Sequence, residues 1–120
     1  MKALTIKQPY AELILQGKKV IELRKWKTNF RGEFLIHASN NIDKEAMKKY
    51  GFDDLPVGAI VGKAKLVDVK EYKSEKEHKK DKHLHLVEEY KEKYAFILKE
   101  ADKYDNPVPC KGALNFWDFK

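Results

Sequence analysis

The chain has 120 residues and carries 25 lysines and arginines against 19 acidic residues, a formal net charge of +6. This length suits one compact domain over residues 1–120, and the single cysteine, Cys110, excludes an intramolecular disulfide and a cysteine-rich zinc site. Such sparse use of cysteine is typical of a reducing compartment, so a cytoplasmic location is expected. No apolar run is long enough to cross a membrane or to act as a signal peptide.

Hydrophobic periodicity and turn residues predict three strands and two helices in the first half of the chain. Pro9 suits the first turn of a helix, and Gly17 suits the left-handed position after its last turn. Asn40 and Asn41 can cap a second helix, which Gly51 ends. In chain order, the predicted elements are a strand over 2–7, a helix over 9–16, strands over 19–25 and 33–38, and a helix over 42–50.

The second half of the chain adds one long strand and two shorter ones. Val, Ile and Ala dominate 58–69, and the runs 94–98 and 114–117 are also rich in β-formers. Many short strands with few helices are typical of a small mixed barrel rather than a parallel α/β sheet. The sequence therefore predicts an α+β fold: a small β-barrel of about five to six mostly antiparallel strands, a short helix between the first two strands, and one or two further helices.

Residues 70–93, hereafter the 70–93 segment, differ in composition because Lys and Glu dominate them. Ser74 and Glu77 form a capping-box pattern, which predicts a mostly exposed helix or an excursion from the barrel. The segment also holds His78, His83 and His85. Their spacing matches no common metal-ligand pattern, so a solvated helix is the favoured interpretation. Neither a metal site nor a cofactor is expected.

The densest group of chemically useful side chains follows the first helix, in the octapeptide GKKVIELR at 17–24. Alternation along the strand places Glu22 and Arg24 on one face, with Lys19 shortly before them. Lys19 and Arg24 can neutralise phosphate, and the planar fork of Arg24 suits two oxygen atoms. The alternative is an exposed strand face with a Glu22–Arg24 ion pair, which would contribute little to stability.

Blocks along nearly the whole chain resemble the ASCH domain, a family of the PUA-like superfamily. The matching blocks are LTIKQPYA (4–11), GKKVIELR (17–24), TNFRG (28–32), LIHAS (35–39), LPVGAIVG (55–62), AFIL (95–98), PVP (107–109) and GALNFW (112–117). Their order and spacing together make the resemblance specific. The 70–93 segment is the part that matches poorly.

The resemblance implies a PUA-like pseudo-barrel that binds RNA or other nucleic acid in a cleft beside the first helix. In the family this cleft is lined by a Gly-x-Lys-x-x-Glu-x-Arg motif, so the expected partner is RNA or a nucleotide-like anionic ligand in a basic cleft. The candidate binding residues are the four motif residues and three further residues whose side chains could contact such a ligand. They are Gly17, Lys19, Glu22 and Arg24 from the motif, with Gln8, Trp26 and Ser39.

Some residues near this motif have a structural alternative. Gln8 offers a donor and an acceptor near the helix start. Trp26, beside two lysines, is a candidate for stacking on a base, whereas Trp117 in an apolar strand is assigned to the core. Ser39 can line the cleft or cap the next helix. His37 is interpreted as a hydrogen-bonded histidine of the core or the cleft wall.

A small hydrolase is the alternative function. Some small members of the family look like amidohydrolases that act on acetylated cytidine with a lysine, a threonine and a downstream glutamate, and a ribonuclease activity has been suggested for relatives. Here Glu22 stands in the threonine's place, so Glu22 would act as a general base for water while Lys19 holds the oxyanion. Asp68 and Glu71 are the candidate downstream acids. A protein-interaction adaptor is a third alternative, because ASCH domains also occur attached to transcription coactivator machinery.

Overall fold

The computed structural model describes all residues, 1–120, as a six-stranded mixed sheet with four short helices. The elements in chain order are β1 (Lys2–Gln8), α1 (Tyr10–Leu15), β2 (Ile21–Arg24), β3 (Gly32–Ile42), α2 (Lys44–Lys49), β4 (Ala59–Glu71), α3 (Glu75–Lys80), α4 (Lys82–His85), β5 (Tyr94–Pro109) and β6 (Phe116–Asp118). The α+β class and the helix between the first two strands are therefore confirmed.

The strand order is β2-β5-β4-β3-β1-β6, and only the β1–β3 pair is parallel. The end strands β2 and β6 have four and three residues, and they do not pair with each other, so the sheet stays open where a barrel would close. A side chain bridges part of this gap. Nη2 of Arg24, at the end of β2, donates to the carbonyl oxygen of Thr5 in β1 at 2.9 Å.

The main core lies where α1 packs onto the central strands, and thirteen buried apolar residues form it. Burying one such aliphatic side chain stabilises the fold by about 1.5–3 kcal/mol. Gly62 of β4 allows the close approach, because a Cβ there would lie 2.6 Å from Leu15 of α1 and 2.4 Å from the carbonyl oxygen of Asp102 in β5. None of the helices is long and apolar enough to cross a membrane.

The strand β5 is much longer than the predicted run 94–98. It continues to Pro109 through an exposed, charged stretch that pairs with β4. Apolar periodicity does not reveal this part, because its stability comes from backbone hydrogen bonds to a neighbouring strand rather than from a buried face.

The boundary between β3 and α2 also differs from the prediction. β3 continues to Ile42, which moves the start of α2 along the chain. Asp43 caps α2 by accepting a hydrogen bond from the amide of Ala46 at 3.0 Å, a role predicted for Asn40 or Asn41. Both asparagines instead lie in the strand.

The 70–93 segment folds as α3 and α4, and Ser74 caps α3 by accepting from the amide of Glu77 at 3.2 Å. The expectation of a mostly exposed helix is right for the lysines but wrong for two histidines. His78 and His85 are 1% and 0% exposed, and their ring centroids lie 4.2 Å apart. They are buried because Tyr72 and Tyr90 pack around them.

The same segment is tied to the residue before β2, and a hydrogen bond joins its own two ends. The amide of Val20 donates to the carbonyl oxygen of Leu84 at 2.9 Å, and the amide of Tyr72 donates to that of Lys93 at 2.7 Å. Leu84, Val87 and Tyr90 pack against the small cluster around Ile21 and Leu23. This poorly matched segment is thereby part of the wall beside the 17–24 octapeptide.

Candidate functional site

A cleft of about 540 Å³ opens between β1, the end of β2, the residues before β6 and the 70–93 segment. It lies at the gap in the sheet. Five of the seven predicted binding residues line it, namely Lys19, Glu22, Arg24, Trp26 and Ser39.

The carboxylate of Glu22 is the centre of the charged wall of the cleft. Its Oε2 accepts hydrogen bonds from Nε (3.1 Å) and Nη2 (2.7 Å) of Arg24. Its Oε1 lies 3.7 Å from Nζ of Lys19. Glu22 is 8% exposed, so this arrangement is a shielded ion network rather than the exposed strand face that the sequence left as the alternative.

Lys19 is more deeply buried than the sequence indicates, at 2% exposure. Its Nζ donates to the carbonyl oxygen of His85 and lies 5.3 Å from the centre of the Tyr10 ring. Burial lowers the pKa of Lys19, and the carboxylate of Glu22 opposes this effect. An ammonium group of this kind is held in place and is a candidate proton donor as well as a positive charge.

The turn after α1 places Lys19 here. Gly17 has φ +77°, which an L side chain rarely adopts, and the amides of Lys18 and Lys19 both donate to the carbonyl oxygen of Leu13. This closes the helix C-terminus in the manner expected for a glycine. Gly17 itself does not line the cleft.

Gln8 does not line the cleft either. Both polar atoms of its side-chain amide form hydrogen bonds within the protein. Its Nε2 donates to the carbonyl oxygen of Pro56 at 2.9 Å, and its Oε1 accepts from the amide of Glu12 at 3.0 Å. The side chain is 1% exposed. Its position is that of a link between the start of α1 and a distant loop.

Trp26 and Ser39 both line the cleft, but different contacts hold them in place. The Trp26 ring lies edge-on to Phe96 and Phe116, with centroids 5.2 and 5.9 Å away, so it is fixed in orientation while still lining the cleft. Ser39 accepts a hydrogen bond from the amide of Asn41 at 3.0 Å. Ser39 does not cap α2.

Two groups at the cleft carry a polar atom with no partner inside the protein. Nη1 of Arg24 donates to no acceptor of the chain, and the carboxyl group of Glu92 takes part in no hydrogen bond or ion pair. Burial raises the pKa of Glu92, and the charge of Glu22 raises it further. A donor and an acceptor are thus free to meet a ligand.

Glu92 is also the carboxylate that sequence reasoning missed. The candidate downstream acids Asp68 and Glu71 are exposed and do not line the cleft; Asp68 instead lies 3.8 Å from Arg31. No local pattern marks Glu92, because it lies in a charge-rich run and reaches the cleft only through the packing of the 70–93 segment.

The ring of Tyr10 also lines the cleft. Its hydroxyl donates to Oδ2 of Asp43 at 3.4 Å. Burial and the charge of Asp43 raise the pKa of Tyr10 to about 12. Its place at the first turn of the helix beside the octapeptide is the signal that could have identified it.

A chain of hydrogen bonds anchors residues on either side of the lip of the cleft, residues 113–115. Nε1 of Trp117 donates to Oγ1 of Thr5 (3.1 Å), which lies 3.2 Å from Nδ1 of His37, while Nε2 of His37 lies 2.8 Å from the carbonyl oxygen of Cys110. Gly112 fits against this chain, because a Cβ there would lie 2.5 Å from Thr5 Oγ1. His37 therefore has the structural role that the sequence indicated.

The cleft is not basic, contrary to the expectation from the motif. Three cationic side chains line it, and three carboxylates balance them; these six residues are Lys7, Lys19, Arg24, Glu22, Asp43 and Glu92. No group of three or more His, Cys, Asp or Glu side chains is arranged to hold a metal ion. A ligand in this cleft would be held by hydrogen bonds and by the shape of the cleft rather than by a net positive charge.

The family model and the solved structures that match this chain carry the same family name. A family model described as the ASCH domain matches residues 4–108. The human protein Activating signal cointegrator 1 is 28% identical over an alignment of 128 positions, which covers 95% of this chain and 21% of that protein. The chain thus spans about a fifth of the relative's length. An ASCH crystal structure from Zymomonas mobilis superposes with a TM-score of 0.67 at 18% identity, over 90% of this chain and 72% of that one.

Proposed function

Because this chain belongs to the ASCH domain family, we propose that it binds single-stranded nucleic acid and seats one nucleotide in the cleft. The observation that carries the proposal is the pair of free groups on a rigid wall, Nη1 of Arg24 and the carboxyl group of Glu92. A guanidinium can donate to a phosphate or a base carbonyl, and a carboxyl group can bind the N–H edge of a base.

The size and the apolar surfaces of the cleft support the same ligand class. A volume of about 540 Å³ lies within the usual range for small-molecule pockets, roughly 300–1,000 Å³. Trp26 and Tyr10 offer ring surfaces, and Leu114 at the lip is 89% exposed. Stacking a base on such side chains contributes about 1–3 kcal/mol in single-strand binders.

Binding of a fluorescein-labelled RNA hexamer of random sequence, followed by fluorescence anisotropy, tests this proposal. Arg24→Gln is expected to weaken binding about tenfold, because it removes a charge-assisted hydrogen bond. The matched control Arg31→Gln removes the same charge at an exposed site and should change the affinity less than about twofold. Leu114→Ala, which removes an exposed side chain and leaves the core intact, is expected to weaken binding about threefold.

Equal affinities for Arg24→Gln and Arg31→Gln would contradict the proposal, since the attraction would then come from the general charge of +6. A separate unfolding experiment on each variant shows whether a loss of binding reflects a loss of fold. Absence of binding even at low salt would also contradict it and would favour the second candidate.

Hydrolysis of an amide on a modified nucleoside is that second candidate. The specific observation in its favour is that Lys19 and Glu92 line the same cleft and have pKa values shifted in opposite directions. Burial lowers the pKa of Lys19 and raises the pKa of Glu92. Such pairs are typical of acid–base chemistry. Glu22 already binds two cations, so Glu92 is the better general base, and release of acetate from acetylated cytidine is the measurement that detects this activity.

A further inference from the structure

The lip of the cleft carries a polar side chain that the proposed function does not use. All three lip residues, 113–115, line the cleft, and Asn115 is the last of them. Its φ is +57°, in the left-handed region that asparagine adopts more readily than most residues other than glycine. The other two non-glycine residues with positive φ, Leu86 and Glu100, do not line the cleft. Asn115 is therefore the one place at the cleft where a residue with a side chain takes this conformation.

The residue that follows Asn115 fixes its position. Phe116 begins β6 and pairs with Leu4 of β1. The centroid of its ring lies 4.9 Å from that of Phe30 and 5.9 Å from that of Trp26. Adjacent Cα atoms lie only about 3.8 Å apart, so Asn115 is held close to the ring of Trp26, the surface on which the proposed function stacks a base.

The amide group of Asn115 is also free to bind a ligand. The other neutral polar side chains of the cleft, those of Thr5, Tyr10 and Ser39, each form a hydrogen bond within the protein. The side chain of Asn115 forms none, and the residue is exposed. It therefore has a donor and an acceptor available at one point beside an aromatic ring.

We propose that Asn115 makes the cleft selective among the four bases, by hydrogen bonding to the edge of the seated base. This inference rests on the proposed function and names the residue that reads the base. Charge does not provide the selection, because the cations and carboxylates of the cleft balance and the phosphate is common to all four nucleotides. An amide matches a base edge on which a donor lies next to an acceptor, and contacts of this kind distinguish one base from another.

The affinities for the four ribonucleoside monophosphates, measured by isothermal titration calorimetry, test this inference. The wild type is expected to bind the preferred monophosphate about fivefold or more tightly than the weakest one, the effect of about one hydrogen bond. Asn115→Gly removes the amide and introduces the residue that best tolerates a φ of +57°, so the lip should keep its shape. In this variant the ratio of the tightest to the weakest affinity is expected to fall below about twofold.

Two further variants separate base reading from a general effect on the lip. Leu114→Ala is the matched control, because its side chain is 89% exposed and forms no hydrogen bond. It should weaken all four affinities by a similar factor and leave their ratio unchanged. Asn115→Asp keeps an acceptor and removes the donor. It should shift the ranking towards guanosine monophosphate by about threefold, because only guanine has two adjacent N–H donors on one edge, while the added charge acts on all four phosphates alike.

Selectivity that persists in Asn115→Gly would overturn the inference, because another group would then read the base. Equal affinities of the wild type for all four monophosphates would overturn it too, while that binding would still support the proposed function. If the wild type binds none of them, the proposed function fails and the inference fails with it. Loss of all binding in a folded Asn115→Gly variant, with the fold checked by a melting curve, would also overturn the inference, because Asn115 would then hold the ligand rather than select it.

Discussion

Replacing Glu22 with alanine is expected to lower the free energy of unfolding by about 3 kcal/mol, because it leaves two shielded cations without their carboxylate. Lys19 is 2% exposed and would keep only the carbonyl oxygen of His85 as a partner. Arg24 would keep only the carbonyl oxygen of Thr5. Urea unfolding followed by tryptophan fluorescence measures this loss.

The matched control for this substitution is Glu33→Ala on β3. Glu33 also pairs with a lysine, since its Oε2 lies 3.2 Å from Nζ of Lys63, but both side chains are substantially exposed. Removing such a surface pair should cost less than about 1 kcal/mol. If Glu22→Ala and Glu33→Ala lower the stability equally, the network around Glu22 does not hold the cleft wall together.

Acidification is expected to destabilise the 70–93 segment through its buried histidines. Burial lowers the pKa of both His78 and His85, below an ordinary value of 6.5. The unfolded chain therefore binds these protons more readily than the folded chain does. The contribution of the neutral, buried histidines to the free energy of unfolding is fully present above pH 6.5. It is lost as the pH falls below this value towards their lowered pKa values.

The surroundings of the two rings show why protonation is unfavourable. Nε2 of His78 is buried without a hydrogen-bond partner. His85 donates from Nε2 to the carbonyl oxygen of His78 at 2.8 Å, and its Nδ1 accepts from the amide of Val87 at 3.0 Å. A second proton on His85 would break the latter bond. The charges of Glu75 and Asp81 on one side and of Lys19 on the other partly offset each other.

The free energy of unfolding is expected to fall by about 1–2 kcal/mol between pH 7.5 and pH 5, and hydrogen exchange at Val20 should rise because its amide bonds to Leu84. His78→Phe keeps a ring and removes the titration, so it should flatten this pH dependence. The control His83→Gln removes an exposed histidine and should leave it unchanged. Identical pH profiles for the wild type and His78→Phe would show that His78 does not cause the loss.

Sequence patterns recovered the parts of the fold that depend on local periodicity. Each of the six strands overlaps a run that apolar alternation or β-formers mark as a strand. The unpredicted part of β5, residues 99–109, has no apolar face of its own and depends on pairing with β4. The cap of α2 shifted to Asp43 because β3 continues into the residues that could otherwise have capped the helix.

The sequence identified the motif residues of the candidate site, but not their burial or the residues that pack around them. Strand alternation places Glu22 and Arg24 on one face, and the structure joins them by two hydrogen bonds. The burial of Lys19 depends on the 70–93 segment, whose lysines and glutamates predict exposure. Glu92 reaches the cleft through the same packing, which no short-range pattern encodes. The neutral charge balance of the cleft could be recognised only after these carboxylates were in place.

The most direct test of a nucleotide in the cleft is an NMR titration of the ¹⁵N-labelled protein with each ribonucleoside monophosphate. Binding in the cleft predicts that the largest shift changes occur at Nε of Arg24, the indole N–H of Trp26 and the amides of 113–115. These residues line the cleft together with Glu92. Shift changes confined to the exposed part of β5, residues 99–109, with none at Arg24 or Trp26, would contradict a nucleotide site in this cleft.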